Sequence, residues 1–235
     1  MTSAWHIFFS IGLSIGLAGP VIAGTVTGSI EVTGVRGVAG NAGVAVWLAP
    51  KNGPPADHHP GVVRMVQHHK QFQPHVLAIQ VGTAVDFPNL DPIFHNAFSN
   101  IDGQPFDVGL YPPGTSRRVV FHKVGIVRVF CNIHESMNAV IVVEDTPWLA
   151  VSNESGAYSI RDVAPGDYTL HAFYERATKQ TLDGLVRAVE VSEGRTSLPS
   201  IQISGTGYIP APHKNKYGRD YPPSGDGGGT YGIKP

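Results

Sequence analysis

Gly125-Ile126-Val127-Arg128-Val129-Phe130-Cys131-Asn132-Ile133-His134-Glu135-Ser136-Met137-Asn138-Ala139-Val140-Ile141-Val142-Val143 is the most informative run in this chain. Val127, Val129 and Cys131 alternate with Ile126, Arg128 and Phe130, the two-residue period of a strand that sends one face into a core. A second apolar strand begins at Ala139. Residues 131–137 therefore form a short loop between two strands, and that loop carries a thiol, an imidazole and a thioether.

The surrounding sequence continues the strand pattern. Leu77, Ile79 and Val81 alternate with Val76, Ala78 and Gln80. Strand candidates fall near 65–66, 75–87, 95–99, 106–110, 117–122, 126–131 and 139–144, each bounded by Gly, Pro, Asn or Asp. This spacing suits a β-sandwich of about a hundred residues over 62–146. The 28 glycines and 19 prolines among 235 residues argue against helical bundles and coiled coils. The chain reads as all-β. With 42% hydrophobic residues it has material for one or two packed domains, which excludes wholesale disorder. A balance of 17 Lys+Arg against 18 Asp+Glu argues against a nucleic-acid partner. Cys131 is the only cysteine, so disulfide scaffolds, zinc fingers and iron-sulfur centres drop out.

A second β unit follows from Pro147, with segments at 157–160, 168–173, 185–191 and 201–203 and a turn at Ala164-Pro165-Gly166-Asp167. Near the start, Gly28 to Gly34 and Asn41 to Leu48 read as an opening strand pair without sheet partners of its own. Together, 25–50 and 147–203 resemble a carboxypeptidase-regulatory, transthyretin-like sandwich. The run Asn153-Glu-Ser-Gly-Ala-Tyr-Ser-Ile-Arg-Asp-Val-Ala-Pro-Gly-Asp-Tyr-Thr-Leu170 carries that resemblance. It implies that the 62–146 sandwich is inserted into the other. A simpler reading, in which 25–50 leads into the first sandwich, also stands. Residues 205–235 are rich in Gly, Pro, Tyr and Lys without periodicity and read as a flexible tail.

Residues 1–23 hold no Asp, Glu, Lys or Arg, are mostly apolar from Ile7 to Leu17, and end in Val21-Ile22-Ala23. This predicts a signal peptide and a periplasmic or otherwise exported protein, with no membrane insertion after cleavage. The start lacks the usual Lys or Arg, and an uncleaved anchor is the alternative. An exported protein that keeps one unpaired thiol calls for a use of that thiol.

Cys131, His134 and Met137 lie at i, i+3 and i+6, close enough to face one point. Thiolate, imidazole and thioether are the donors of a trigonal copper site, which takes two His and one Cys in a plane and a weak axial Met. The second imidazole must come from another loop, and His95, between Phe87–Phe94 and Asn96-Ala97-Phe98, meets the need. Each residue alone has a plainer reading: Cys131 as a small buried hydrophobe, His134 as a loop residue, Met137 as core filler. Their combination favours copper over a nucleophilic cysteine, which prefers a helix N-terminus or an oriented His.

At this point residues 62–145 resemble the cupredoxins, the blue type 1 copper proteins. C-x-x-H-x-x-M has the short amicyanin-like spacing, and Val81-Gly82-Thr83-Ala84-Val85-Asp86-Phe87-Pro88-Asn89 with His95-Asn96 looks like the first-ligand region. The resemblance implies a Greek-key β-sandwich holding one copper ion on His95, Cys131, His134 and Met137. It further implies that Asn96 ties the two ligand loops and that electrons pass through the edge of His134. A dehydrogenase donor and a cytochrome acceptor are the implied partners. Glu135 departs from the family, where Pro is common, and predicts a looser loop. Phe130 and Asn132 flank Cys131, so the adjacent His-Cys pair of the copper reductases is missing and the expectation is a carrier, not an enzyme.

His58, His59, His68, His69 and His75 cluster in sequence. They admit a second metal site or a copper-delivery role; the plain alternative is a solvated loop. An envelope interaction module built on the second sandwich is a further alternative. His122, His171 and His213 have no companions at a ligand spacing.

Overall fold

The computed structural model describes residues 23–34, 40–52, 60–209 and 213–221. Residues 1–22 of the expected signal segment, His58, His59 and the end of the expected tail from 222 lie outside the described residues.

The strand after the Cys131–Met137 loop shows how the molecule is layered. Along Asn138–Glu144, Ala139, Ile141 and Val143 enter one core while Val140 and Val142 enter another. Burial on both faces explains the unbroken apolar run, where a half-exposed strand would alternate with polar residues. This strand lies inside a five-stranded sheet ordered Val76–Gln80, Asn138–Glu144, Gly125–Phe130, Phe98–Ser99, Phe106–Asp107. Its inner face packs Val127, Val129, Cys131 and Ile141 against Val85 and Phe87, which belong to a sheet ordered Ser116–Val120, Ala84–Pro88, Val62–Arg64. These two sheets form the first sandwich. Val66–His68 and Gln71–Gln73 add a hairpin, whose turn residues His69 and Lys70 both hold φ 55°.

Outside the first sandwich, Val76, Val140 and Val142 pack against Ala45 and Phe173. Those two residues lie in a sheet ordered Leu149–Val151, Ala45–Pro50, Gly166–Phe173, Arg187–Val191. The other face of that sheet, through Val46, Leu48 and Leu170, shares a core with Val26, Ile30, Ile160 and Ile203. These come from a fourth sheet, in which Gly24–Thr33 is flanked by Ala157–Val163 on one side and by Arg195–Ser197 and Ile201–Ser204 on the other. His75 bridges the layers, its Nε2 2.9 Å from Glu175 Oε2. A five-residue helix, Lys179–Asp183, is the one α-helix among the described residues. No described helix is long and apolar enough to cross a membrane.

Three expectations change. The strand expected over 75–87 is two strands in different sheets, because Gly82, at φ 89°, turns the chain between them. The opening pair do not pair with each other: Gly24–Thr33 and Ala45–Pro50 sit in facing sheets and take their partners from residue 149 onward. The expected flexible tail is not uniform, since residues 213–221 make specific contacts to the loop that carries Cys131.

Candidate metal centre

Cys131 continues the inward-facing series of Gly125–Phe130 and is fully buried. The loop then closes on itself. Met137 N–H donates to the His134 carbonyl at 3.1 Å, and Cys131 N–H donates to the Met137 carbonyl at 3.1 Å. Closure brings His134 Nδ1 to 3.7 Å from Cys131 Sγ. Met137 is fully buried in the same core as Cys131.

His95 comes from a separate stretch of chain. Its backbone exchanges two hydrogen bonds with Tyr111, at 3.2 and 2.9 Å, and the side chain is fully buried with Nδ1 3.8 Å from Cys131 Sγ. The two imidazoles meet edge to face at 5.0 Å. The donor atoms of His95, Cys131 and His134 all lie within 4.8 Å of one another. A first-row metal with a thiolate at about 2.3 Å and imidazoles at about 2.0 Å, arranged in a trigonal plane, needs a sulfur–nitrogen separation of about 3.7 Å. The site therefore has the dimensions as well as the donors of a thiolate–imidazole metal centre.

Burial dominates the local electrostatics. Burial pushes the Cys131 thiol up, against the opposing effect of the backbone N–H groups of Ile133, Asn96 and His134. Burial, then the neighbouring His95, pushes His134 down to about 4, so its ring is neutral with a free lone pair at pH 7.

Behind His95 stands a carboxylate that belongs to no ligand spacing in the sequence. His95 Nε2 lies 2.8 Å from Asp91 Oδ2, and both residues are buried. Asp91 also accepts the backbone N–H groups of His69 and Lys70, at 2.6 and 2.8 Å. Burial raises the Asp91 pKa, but the bonds from Lys70, His95 and His69 outweigh it and hold the carboxyl below its ordinary value. The left-handed His69-Lys70 turn thus aims two N–H groups at one ionised oxygen pair. A carboxylate on the outer nitrogen fixes the tautomer that leaves Nδ1 free for a metal. The only sequence signal was Asn89-Leu90-Asp91, an Asx turn in which Asn89 Oδ1 accepts Asp91 N–H at 3.1 Å.

Asn96 spans the two loops. Its Oδ1 accepts Asn132 N–H at 3.2 Å, and its Nδ2 donates to Asp107 Oδ1 at 2.8 Å and to the Gly109 carbonyl at 3.0 Å. Among the described residues, the structure gathers no second metal group from the histidine-rich region. His68 and His69 stack on each other, and His75 is committed to Glu175 and the Asn138 carbonyl.

No family model matches the chain. It is 38% identical over 68 residues to methylamine utilization protein MauL of Methylorubrum extorquens, a match over 28% of this chain and 60% of that relative's length. A copper-containing nitrite reductase from Thermus scotoductus is 30% identical over 37% of this chain and 23% of its own, with a TM-score of 0.34. For a purple cupredoxin from Nitrosopumilus maritimus the figures are 27%, 31% and 81%, with a TM-score of 0.29. For an oxidised variant of amicyanin they are 16%, 35% and 81%, with a TM-score of 0.33. Cupredoxins are among the structural neighbours of this chain. All of these matches involve well under half of it.

Proposed function

We propose that this protein is an exported type 1 copper protein that carries single electrons between redox partners. The observation that supports this most is the convergence of His95 Nδ1 and His134 Nδ1 on Cys131 Sγ at 3.8 and 3.7 Å. In this reading His95, Cys131, His134 and Met137 would hold one copper ion. A copper ion held there supplies a one-electron centre, because thiolate and thioether favour Cu(I) while imidazole accepts both oxidation states.

The chain's own residues keep that exchange cheap. Cys131 and His95 are anchored in the β frame, Asp91 locks the His95 ring, and Asn96 ties one ligand loop to the other. Such a frame resists rearrangement between oxidation states. His134 is the partly exposed member of the three and the natural edge for electron entry and exit. With Phe130 and Asn132 flanking Cys131, no adjacent His leads from this site to a second copper, which favours a carrier over an enzyme.

The relation to MauL, a methylamine utilization protein, favours methylamine utilisation as the setting, and the short amicyanin-like spacing of Cys131, His134 and Met137 favours a dehydrogenase donor and a cytochrome acceptor. Residues 62–146 serve as the copper domain, inserted into a regulatory-type sandwich built from 25–50 and 147–203. The pairing of Gly24–Thr33 with Ala157–Val163, and of Ala45–Pro50 with Gly166–Phe173, favours this division. Voltammetry of the copper-loaded protein tests the reading. A reversible one-electron wave that Cys131→Ser abolishes is expected; an electrochemically silent wild type overturns it.

A further inference from the structure

The ligand loop is short, holds no proline, and exposes Glu135 and Ser136 to solvent, yet three of its residues are gripped from outside by one distant segment. Tyr221 Oη donates to the Cys131 carbonyl at 2.8 Å. Lys216 N–H donates to Asn132 Oδ1 at 3.1 Å. His213 Nε2 donates to the Glu135 carbonyl at 2.8 Å. The His213 ring also stacks on Phe130 at 4.0 Å, with Tyr221 edge-on behind it at 5.2 Å. These grips fall at the first, second and fifth positions of the loop, on either side of His134.

The segment is itself well braced. Asn215 Oδ1 accepts the N–H groups of Tyr217 and Arg219 at 3.0 and 3.1 Å, which folds 215–219 into a compact turn. The Lys216 ammonium reaches Asp107 Oδ2 at 2.8 Å. Asp107 holds Asn96, Asn96 holds the Asn132 N–H, and the Asn132 side chain accepts the Lys216 N–H. The result is a closed ring of hydrogen bonds that runs through both ligand loops and the C-terminal segment. Each member restrains the others, so the ring is worth more than its separate bonds.

We propose that residues 213–221 are a positioning strap for the metal-binding loop, with His213, Lys216 and Tyr221 as its positioning residues. The proposal rests on the reading of 131–137 as a copper-binding loop. A loop closed by two of its own backbone bonds and lacking proline loses more conformational freedom on ordering than a proline-bearing one. The strap supplies that restraint from elsewhere in the chain. It holds the peptide groups around His134 without occupying the donor atoms.

The test uses full-length protein with Tyr221→Phe, which keeps the ring against His213 and removes one hydrogen bond, and the double variant His213→Ala/Tyr221→Phe. In the copper-free proteins, amide hydrogen exchange at Cys131 and Met137 is expected to speed up roughly threefold to tenfold in the single variant and further in the double, the range expected for losing a modest hydrogen bond. Exchange at Val140, Ile141 and Val142 is expected to stay at the wild-type rate. In the copper-loaded proteins, release of copper to a chelator should accelerate in the same order, with a shifted thiolate absorption band. Unchanged exchange at Cys131 and Met137 in both variants overturns the proposal, as does equal acceleration throughout the strands. If the wild type takes up no copper, the electron-carrier reading fails, while the exchange comparison still decides whether the strap restrains the loop.

Discussion

Asp91→Asn is expected to raise the reduction potential of the copper-loaded protein by roughly 100 mV. The carboxylate is ionised, held below its ordinary pKa by Lys70, His95 and His69 against the opposing effect of burial. Its oxygen lies 2.8 Å from His95 Nε2. A metal on Nδ1, across the ring and one bond of about 2 Å, sits roughly 7 Å from that charge. At an effective dielectric constant of about 20, a unit charge at ~7 Å interacts with one added charge on the metal by ~2.4 kcal/mol. The negative charge stabilises the oxidised ion, and at about 59 mV per tenfold change for one electron the difference comes to roughly 100 mV. Asparagine removes the charge while keeping the size of the side chain and one acceptor oxygen. Voltammetry at pH 7 reads the shift directly, with Asp91→Glu, which keeps the charge, expected to move much less. A potential that stays put or falls in an Asp91→Asn protein retaining its thiolate band refutes the reasoning.

Ile141→Ala empties a fully buried position between the first sandwich's sheets and should cost about 2–5 kcal/mol, read from a denaturant midpoint. Gly156→Ala drives a Cβ into the Ile30 carbonyl oxygen at φ +84° and should destabilise by roughly 1–3 kcal/mol in the same assay. His75 has its pKa raised from 6.5, chiefly by the Glu175 hydrogen bond, so its contribution is complete below 6.5 and fades as pH climbs through the raised value. Glu175 is held below 4.5 by His75 and its cationic neighbours despite burial, so its contribution is complete above 4.5 and fades as pH falls through the lowered value. The pair therefore supports the contact between sandwiches best between these two limits, and the wild type's thermal advantage over His75→Ala should shrink as pH rises beyond 6.5 through the raised value. Copper uptake at pH 7 should release about one proton, from Cys131, since His134, at about 4, is already neutral. Calorimetry in buffers of different ionisation enthalpy measures that number.

The strand–loop–strand run was legible because its two signals are local. Alternation around Val127 and Val129 sets the face, and the spacing of Cys131, His134 and Met137 sets the donors within one turn of chain. His95 could be proposed because a trigonal set lacked one imidazole. Asp91 was hidden because a carboxylate four residues before a histidine is unremarkable until the His69-Lys70 turn is seen to hold its oxygens. The strap was hidden for a related reason. His213, Lys216 and Tyr221 show no periodicity, and their partners on the loop are mostly backbone carbonyls, which leave no trace in side-chain patterns. The break at Gly82 was missed because alternation runs on across it; only sheet membership separates the two strands.

The visible spectrum of purified protein titrated with Cu(II) tests the central claim most directly. The account predicts an intense thiolate-to-copper charge-transfer band that saturates at one ion per chain, bleaches on reduction, returns on oxidation and is absent from Cys131→Ala. A colourless wild type, or a band that persists in Cys131→Ala, contradicts it.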